Sequence, residues 1–322
     1  MRYRRLALIL AFGTACCALA AQAATEWPTR PVRIIAPSTP GGAADSIGRL
    51  VGDPLSELYR HKFFIENRPG AGGLIGAVAT ARAEPDGYTF VTSSVAYHVI
   101  APAVAANPGF HPLRDATHIA FIGGSPTVFV AHPRAGIRSV KDLVDAAAKN
   151  SPLSFVSPGV GTLGHLMAEY FAQKAAIKLQ HIPHKGSSEA MLDLIAGNVS
   201  FGTMSFGSAL PQIRAGNVIA IAVTGEKRIP EFPDLPTLSE LGFPDLVATT
   251  WYGLSGPAGV PNDIVQRLNE AVRAILDRPD VRKRMQLEGM LSKPMTAEEF
   301  TKFMASEIDK WGPVARGVVG SR

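Results

Sequence analysis

Glycines and hydroxyls cluster twice in this chain, each time between an apolar run and a helical pattern. The first cluster, Ser38-Thr39-Pro40-Gly41-Gly42, follows Val32-Arg33-Ile34-Ile35-Ala36 and leads into a helix carrying Asp45. The second, Ser157-Pro158-Gly159-Val160-Gly161-Thr162, follows Leu153-Ser154-Phe155-Val156 and leads into Leu163-Gly164-His165. A strand, a glycine turn and a helix N-terminus aim unpaired backbone N–H groups and the positive end of a helix dipole at one point, which suits an anion. Two such turns about 120 residues apart suit one small carboxylate held from both sides.

Other chemistries fit less well. Gly159 to Gly164 matches GxGxxG, but a dinucleotide fold needs a carboxylate about 20 positions on, and Gln180-His181-Ile182-Pro183-His184-Lys185 has none. The turn therefore reads as a backbone anion nest, with no cofactor. His181 and His184 are split by Pro183, and His165 with Glu169 one turn later lacks a third ligand, so no metal site is expected. His165 reads either as a donor near the ligand or as a packed residue. No GxSxG nucleophile elbow occurs. Ser157 and Thr162 offer neutral hydrogen bonds to carboxylate oxygens, alongside ordinary turn and N-cap chemistry. Asp45 in a first helical turn reads as a cap. Asn67-Arg68-Pro69-Gly70 and Pro85-Asp86-Gly87-Tyr88 read as tight scaffold turns.

The bulk properties narrow the class. Met1 to Arg5 is a basic start, Leu6 to Ala20 is apolar, and Ala21-Gln22-Ala23 fits a signal-peptide cleavage site, so residues 1–23 are expected to be removed on export. Both cysteines, Cys16 and Cys17, leave with that leader, and with them any disulfide or thiolate chemistry. Three of the 32 basic residues and none of the 27 acidic ones lie in it, so the formal charge falls from +5 to +2. That leaves little electrostatic support for nucleic-acid binding. No later segment offers the ~18 unbroken apolar residues of a membrane span.

The remaining chain is long enough for two domains. Strands and helical patterns alternate nearly throughout, which predicts α/β architecture with mainly parallel sheets. Helices are expected at about 44–59, 74–83, 140–149, 166–175, 187–196, 262–276, 279–288 and 297–314, the sixth burying Ile264, Val265, Leu268, Val272 and Ile275. Further strands are expected at Phe63 to Glu66, Tyr88 to Thr92, Ile119 to Ile122, Val128 to Ala131, Lys178 to Ile182 and Ile219 to Thr224. Chain crossings near 121–130 and at Thr249 to Leu254 would make a hinge.

Distinctive segments recur in order along the chain: Pro31-Val32-Arg33-Ile34-Ile35, Pro40-Gly41-Gly42-Ala43-Ala44-Asp45, Glu66-Asn67-Arg68-Pro69-Gly70-Ala71-Gly72-Gly73, Pro85-Asp86-Gly87-Tyr88-Thr89, Gly159-Val160-Gly161-Thr162 with His165-Leu166, His181 to Gly186, and Pro236-Thr237-Leu238-Ser239-Glu240-Leu241-Gly242. With these the chain resembles the substrate-binding receptors of tripartite tricarboxylate transporters, the Bug family of periplasmic proteins. The resemblance implies a type II periplasmic-binding-protein fold: two α/β lobes, 24–126 with 250–322 and 127–249, joined by crossing hinge strands. It implies a monomeric, non-enzymatic periplasmic receptor for a di- or tricarboxylate or related acid, serving membrane transporter subunits or a sensor. It also implies that Ser38, Thr39, Pro40, Gly41, Gly42 and Asp45 of one loop and Ser157, Gly159, Gly161, Thr162 and His165 of the other clasp a carboxylate, partly through bound waters. The distal end of the ligand would then lie among Ser93, Ser94, His98, Lys185, Thr203 and Ser205. Ser38 stands where the family commonly has Phe, His184 where it has Tyr, and no acid occupies 202–204, which counts against an α-amino acid. A secreted hydrolase or isomerase using His165 or His184 as base is the competing reading.

Overall fold

The computed structural model describes residues 27–150, 152–287 and 289–318; the expected leader and its cleavage site at Ala23 lie outside them. Nine strands form from the short apolar runs: β1 Val32–Ala36, β2 Phe63–Asn67, β3 Thr89–Ser94, β4 Ala116–Ala131, β5 Leu153–Ser157, β6 Leu179–Pro183, β7 Phe201–Ser205, β8 Ile219–Val223 and β9 Thr249–Pro257. The main helices are α1 Ala43–Tyr59, α2 Leu74–Ala81, α3 Val140–Lys149, α4 Leu163–Lys174, α5 Ser187–Ala196, α6 Phe206–Arg214, α7 Asn262–Asp277, α8 Pro279–Leu287 and α9 Ala297–Val318. The segment 96–104, which carries no strong pattern, winds into a π-helical turn and one α-turn.

The strand order is β2-β1-β3-β9-β4-β7-β5-β6, with β8 on the other side of β4. Among the named strands, parallel pairs are β1 with β2 and β3, and β5 with β6 and β7. Everything paired to β4 or β9 is antiparallel, a departure from the mainly parallel expectation. The two expected strands near 119–131 are one continuous strand. Residues 116–126 of it pair with β9, and residues 127–131 pair with β7 and β8. At the hand-over, the Thr127 N–H donates to Thr224 Oγ1 (2.9 Å), and that hydroxyl donates to the Ala248 carbonyl (2.6 Å). One threonine thus ties both crossing segments together. Strand β7 and helix α6 had no sequence counterpart, because Gly202-Thr203-Met204-Ser205 lacks a strong apolar run; tertiary pairing between β4 and β5 makes it a strand.

Helix α7 buries the five residues expected of it against the first sheet. The C-terminal helix α9 does more. Its Phe300, Met304, Trp311 and Ala315 share one buried cluster with Val95 and Val99, with Phe121 and Trp251 of the crossing strands, with Phe129 and Phe155 of the second sheet, and with Phe171 of α4. Trp251 Nε1 donates to Glu307 Oε2 across 2.8 Å. Burial raises the Glu307 carboxyl above its usual range, an effect that the indole bond partly offsets.

Polar side chains run through the first sheet. Ser255 Oγ lies 2.9 Å from Ser93 Oγ and 3.0 Å from His118 Nδ1, and His118 Nε2 lies 3.0 Å from the Pro112 carbonyl. His98 packs edge-on to His118 and Phe110, and its Nδ1 has no hydrogen-bond partner among the described residues. Burial pushes the His98 imidazole down to about 3 and that of His118 to about 4. In the unfolded chain both titrate near ~6.5. Above that pH both states are neutral and stability is flat. Below it the unfolded chain takes up protons that the folded one refuses, so stability falls as pH drops from about 6.5 toward 4, by about 1.4 kcal/mol per pH unit for each histidine. Urea midpoints measured between pH 7.5 and 4.5 should show this slope, and His98→Phe should flatten it; an unchanged slope would refute the assignment.

Candidate functional site

The loops that follow β1 and β5 leave the carboxyl ends of parallel strands, where open α/β sheets carry ligands. Both are built on the same hydrogen-bond scheme. Gly41 has φ +76° and Gly161 φ +79°, backbone that side-chain-bearing residues rarely adopt. A Cβ at either position would meet no atom within 4 Å. The Gly41 N–H donates to Asp45 Oδ2 (3.0 Å), and the Gly161 N–H donates to His165 Nδ1 (3.4 Å). In both cases the acceptor lies four residues on, in the first turn of the following helix, and is itself buried. Each acceptor in turn meets a partner four residues further. Arg49 donates to Asp45 through Nε (3.1 Å) and a terminal nitrogen (3.0 Å), and Glu169 Oε1 stands 3.7 Å from His165 Nε2. The two braces share one spacing but rest on different groups, a carboxylate at Asp45 and an imidazole at His165.

The first loop has further ties. Asn67 Nδ2 donates to Asp45 Oδ1 (3.2 Å) and to the Ser38 carbonyl (3.1 Å), and the Asp45 N–H donates to Ser38 Oγ (3.3 Å). Burial acts to raise the Asp45 carboxyl, but the hydrogen bonds from Arg49, Gly41 and Asn67 outweigh it and hold the group below the usual carboxylate range. Asp45 is thus an ionised strut beneath the loop, and Asn67, read from sequence as part of a scaffold turn, is what anchors it. Thr39, Pro40 and Gly41 remain exposed at the loop surface, and Gly42, the helix N-cap, lacks a side-chain cap.

In the second loop Thr162 caps α4, its Oγ1 accepting from the His165 N–H (3.3 Å) while its hydroxyl donates to the Gly159 carbonyl (2.8 Å). Ser157 is fully buried; its Oγ accepts from the Gly159 N–H (3.2 Å) and lies 2.7 Å from His181 Nε2. The His181 ring stacks on His165 with centroids 3.9 Å apart and planes 17° apart, and on Phe155 at 4.9 Å. Both hydroxyls of this loop therefore serve the turn itself. The donors that face outward are the amides of the helix N-terminus, as at α1.

Several residues expected along the distal wall are buried in this structure. Ser93 is 0% exposed and His98 1%, both inside the first sheet's polar core. Ser94 is buried and accepts from the Ala96 N–H (3.1 Å). Thr203 is buried and donates to the Gly164 carbonyl (2.8 Å), fixing α4 on β7. Ser93, Ser94 and Thr203 are held by strand pairing and hydrogen bonds, and His98 by ring packing, which alternation along a short segment does not reveal. Ser205, partly exposed, pairs with Ser208 (2.6 Å). Lys185 is exposed on the loop after β6, which touches the second loop: a Cβ at Gly159 would fall 2.7 Å from the His184 carbonyl oxygen. Sequence reasoning missed Arg49, Asn67 and His181. The four-residue spacing of Asp45 from Arg49 was a readable signal; the other two contacts are long-range. Among the described residues no three His, Cys, Asp or Glu side chains form a metal-binding group, and no helix is long and apolar enough to cross a membrane.

Comparison with known proteins places this geometry. The family model described as "Tripartite tricarboxylate transporter family receptor" matches residues 47–318. Protein BugT of Bordetella pertussis is 30% identical over 319 residues, covering 98% of each chain. A solved structure of an R. palustris protein with adipate superposes with a TM-score of 0.84 at 31% identity, covering 91% of this chain and 98% of the other. MatC from Rhodopseudomonas palustris with bound malate gives 0.83 at 28% identity, covering 90% of this chain and 100% of that one. The fold is that of the periplasmic binding proteins, two α/β halves joined by crossing strands. This chain belongs to the tripartite tricarboxylate transporter receptor family and is a solute-binding receptor, not an enzyme.

Proposed function

We propose that this receptor works in the periplasm and holds a small organic carboxylate between the loops 38–42 and 157–162. The lobes that close on it are 24–126 with 250–322 and 127–249, hinged where β4 changes partners. The observation that carries this reading is the pair of equivalent braced glycine turns, each with an open space where a glycine Cβ would stand. A carboxylate seated there would be met by helix amides and dipoles that replace its water. That the two relatives named above hold adipate and malate agrees with a diacid or hydroxy acid as the ligand class. The chain would hand its ligand to a membrane transporter.

Native mass spectrometry of the exported protein, followed by denaturation, should release a small carboxylic acid. A stripped sample should show a rise in melting temperature with malate or adipate. An empty protein with no shift across mono-, di- and tricarboxylates would sink the reading.

Replacing Gly41 or Gly161 by Val should each weaken binding at least tenfold, equivalent to about 1.4 kcal/mol. The new Cβ meets no protein atom within 4 Å, so the fold should survive, but the side chain occupies the space the anion needs and resists the positive φ. Calorimetry on both variants, with folding checked by circular dichroism, tests this; unaltered affinity in both would exclude the clasp.

A further inference from the structure

The two braces differ in one chemical respect. The acceptor for the Gly41 N–H is a carboxylate locked as an anion by Arg49. The acceptor for the Gly161 N–H is an imidazole nitrogen, which can take a proton. Because His165 Nδ1 accepts, the neutral ring carries its hydrogen on Nε2, the side facing Glu169 Oε1 at 3.7 Å. A second imidazole, His181, lies flat on the first at 3.9 Å and reaches Ser157 at 2.7 Å. Two stacked imidazoles backed by a buried carboxylate make a site for one proton; the helix N-terminus above them opposes that charge until an anion seated there offsets it. A second proton at that spacing would be repelled strongly by the first.

The other titratable groups nearby do not duplicate this arrangement. The loop after β6 brings His184, 3.2 Å from Asp193, and the exposed Lys185. On α4, Lys174 is paired with Asp245 and stands over the Tyr170 ring. Strands β5 and β7 contribute no titratable side chain.

We propose that the second loop binds its anion together with one proton, taken up by the His165–His181 pair. This rests on the reading that loop 157–162 holds a carboxylate. An arriving anion competes for the Gly161 N–H, whose bond to His165 is long at 3.4 Å and easily surrendered. The freed Nδ1 then accepts a proton from solvent, forming an imidazolium whose Nε2–H faces Glu169 and whose charge stands next to the bound carboxylate. The weak bond lost is smaller than the attraction gained in a site shielded from water, so proton and anion bind cooperatively. The first loop has no equivalent, since Asp45 is held ionised, and one proton per ligand is therefore the stoichiometry.

Isothermal titration calorimetry of the stripped protein with malate and adipate as probes reads this directly. Their carboxylates stay ionised between about pH 6.5 and 8.5. In buffers of different ionisation enthalpy, the binding heat should reveal net uptake of up to one proton, and affinity should rise as pH falls, approaching tenfold per unit. The double variant His165→Gln/His181→Gln should lose that pH slope, whereas His184→Gln should keep it. Binding with no proton uptake, or a slope that survives in the double variant, overturns the proposal while leaving the carboxylate reading intact. Failure of the wild-type protein to bind malate, adipate or a wider panel of carboxylates at any pH overturns both.

Discussion

A buried strand must find a partner for every backbone N–H and C=O, and β4 has to do so in two sheets at once. It meets the requirement by exchanging β9 for β7 and β8 between Pro126 and Thr127. Thr224, bonded to both crossing segments, satisfies the backbone at the point where the ladders part. Everything else is arranged around this exchange. It sets the two groups of parallel strands on either side of a shared pair of antiparallel strands, so that the loops after β1 and β5 both emerge from carboxyl ends. Without a continuous β4 the two glycine loops would have no common frame.

Helix α9 completes that frame. Its aromatic and aliphatic residues join a single buried cluster that runs from the segment 96–104 through the crossing strands into the second sheet. Bending at the crossing must therefore occur against packed aromatic rings, with Trp251 and Glu307 at the point of contact. Asn269 adds a second tie, donating to the carbonyls of Ile119 (2.8 Å) and Met295 (3.0 Å) and so fixing α7 and the start of α9 on β4. Buried polar groups satisfied in this way specify one packing arrangement.

The paired loops show how one backbone geometry can rest on different acceptors. A glycine at positive φ, an acceptor four residues on and a polar partner four residues beyond that recur in both, as Gly41–Asp45–Arg49 and Gly161–His165–Glu169. In each case the acceptor, Asp45 or His165, is buried beneath its loop.

The sequence by itself determined the elements that are locally encoded. Both strand–glycine-turn–helix units, the buried stripe of α7 and the Thr162 cap follow from residue type and spacing, because periodicity and turn chemistry act within a few residues. Tertiary structure decided which polar side chains are consumed inside. Ser93 and Thr203 are buried by strand pairing and cross-element bonds, and His98 by ring packing. The His165–His181 stack exists because β5 and β6 pair with Phe155 opposite His181, and α4 lays His165 over them. Local pattern shows that a residue is polar. Only the partner that folding delivers from far along the chain decides whether it braces a loop, seals a core or faces the ligand.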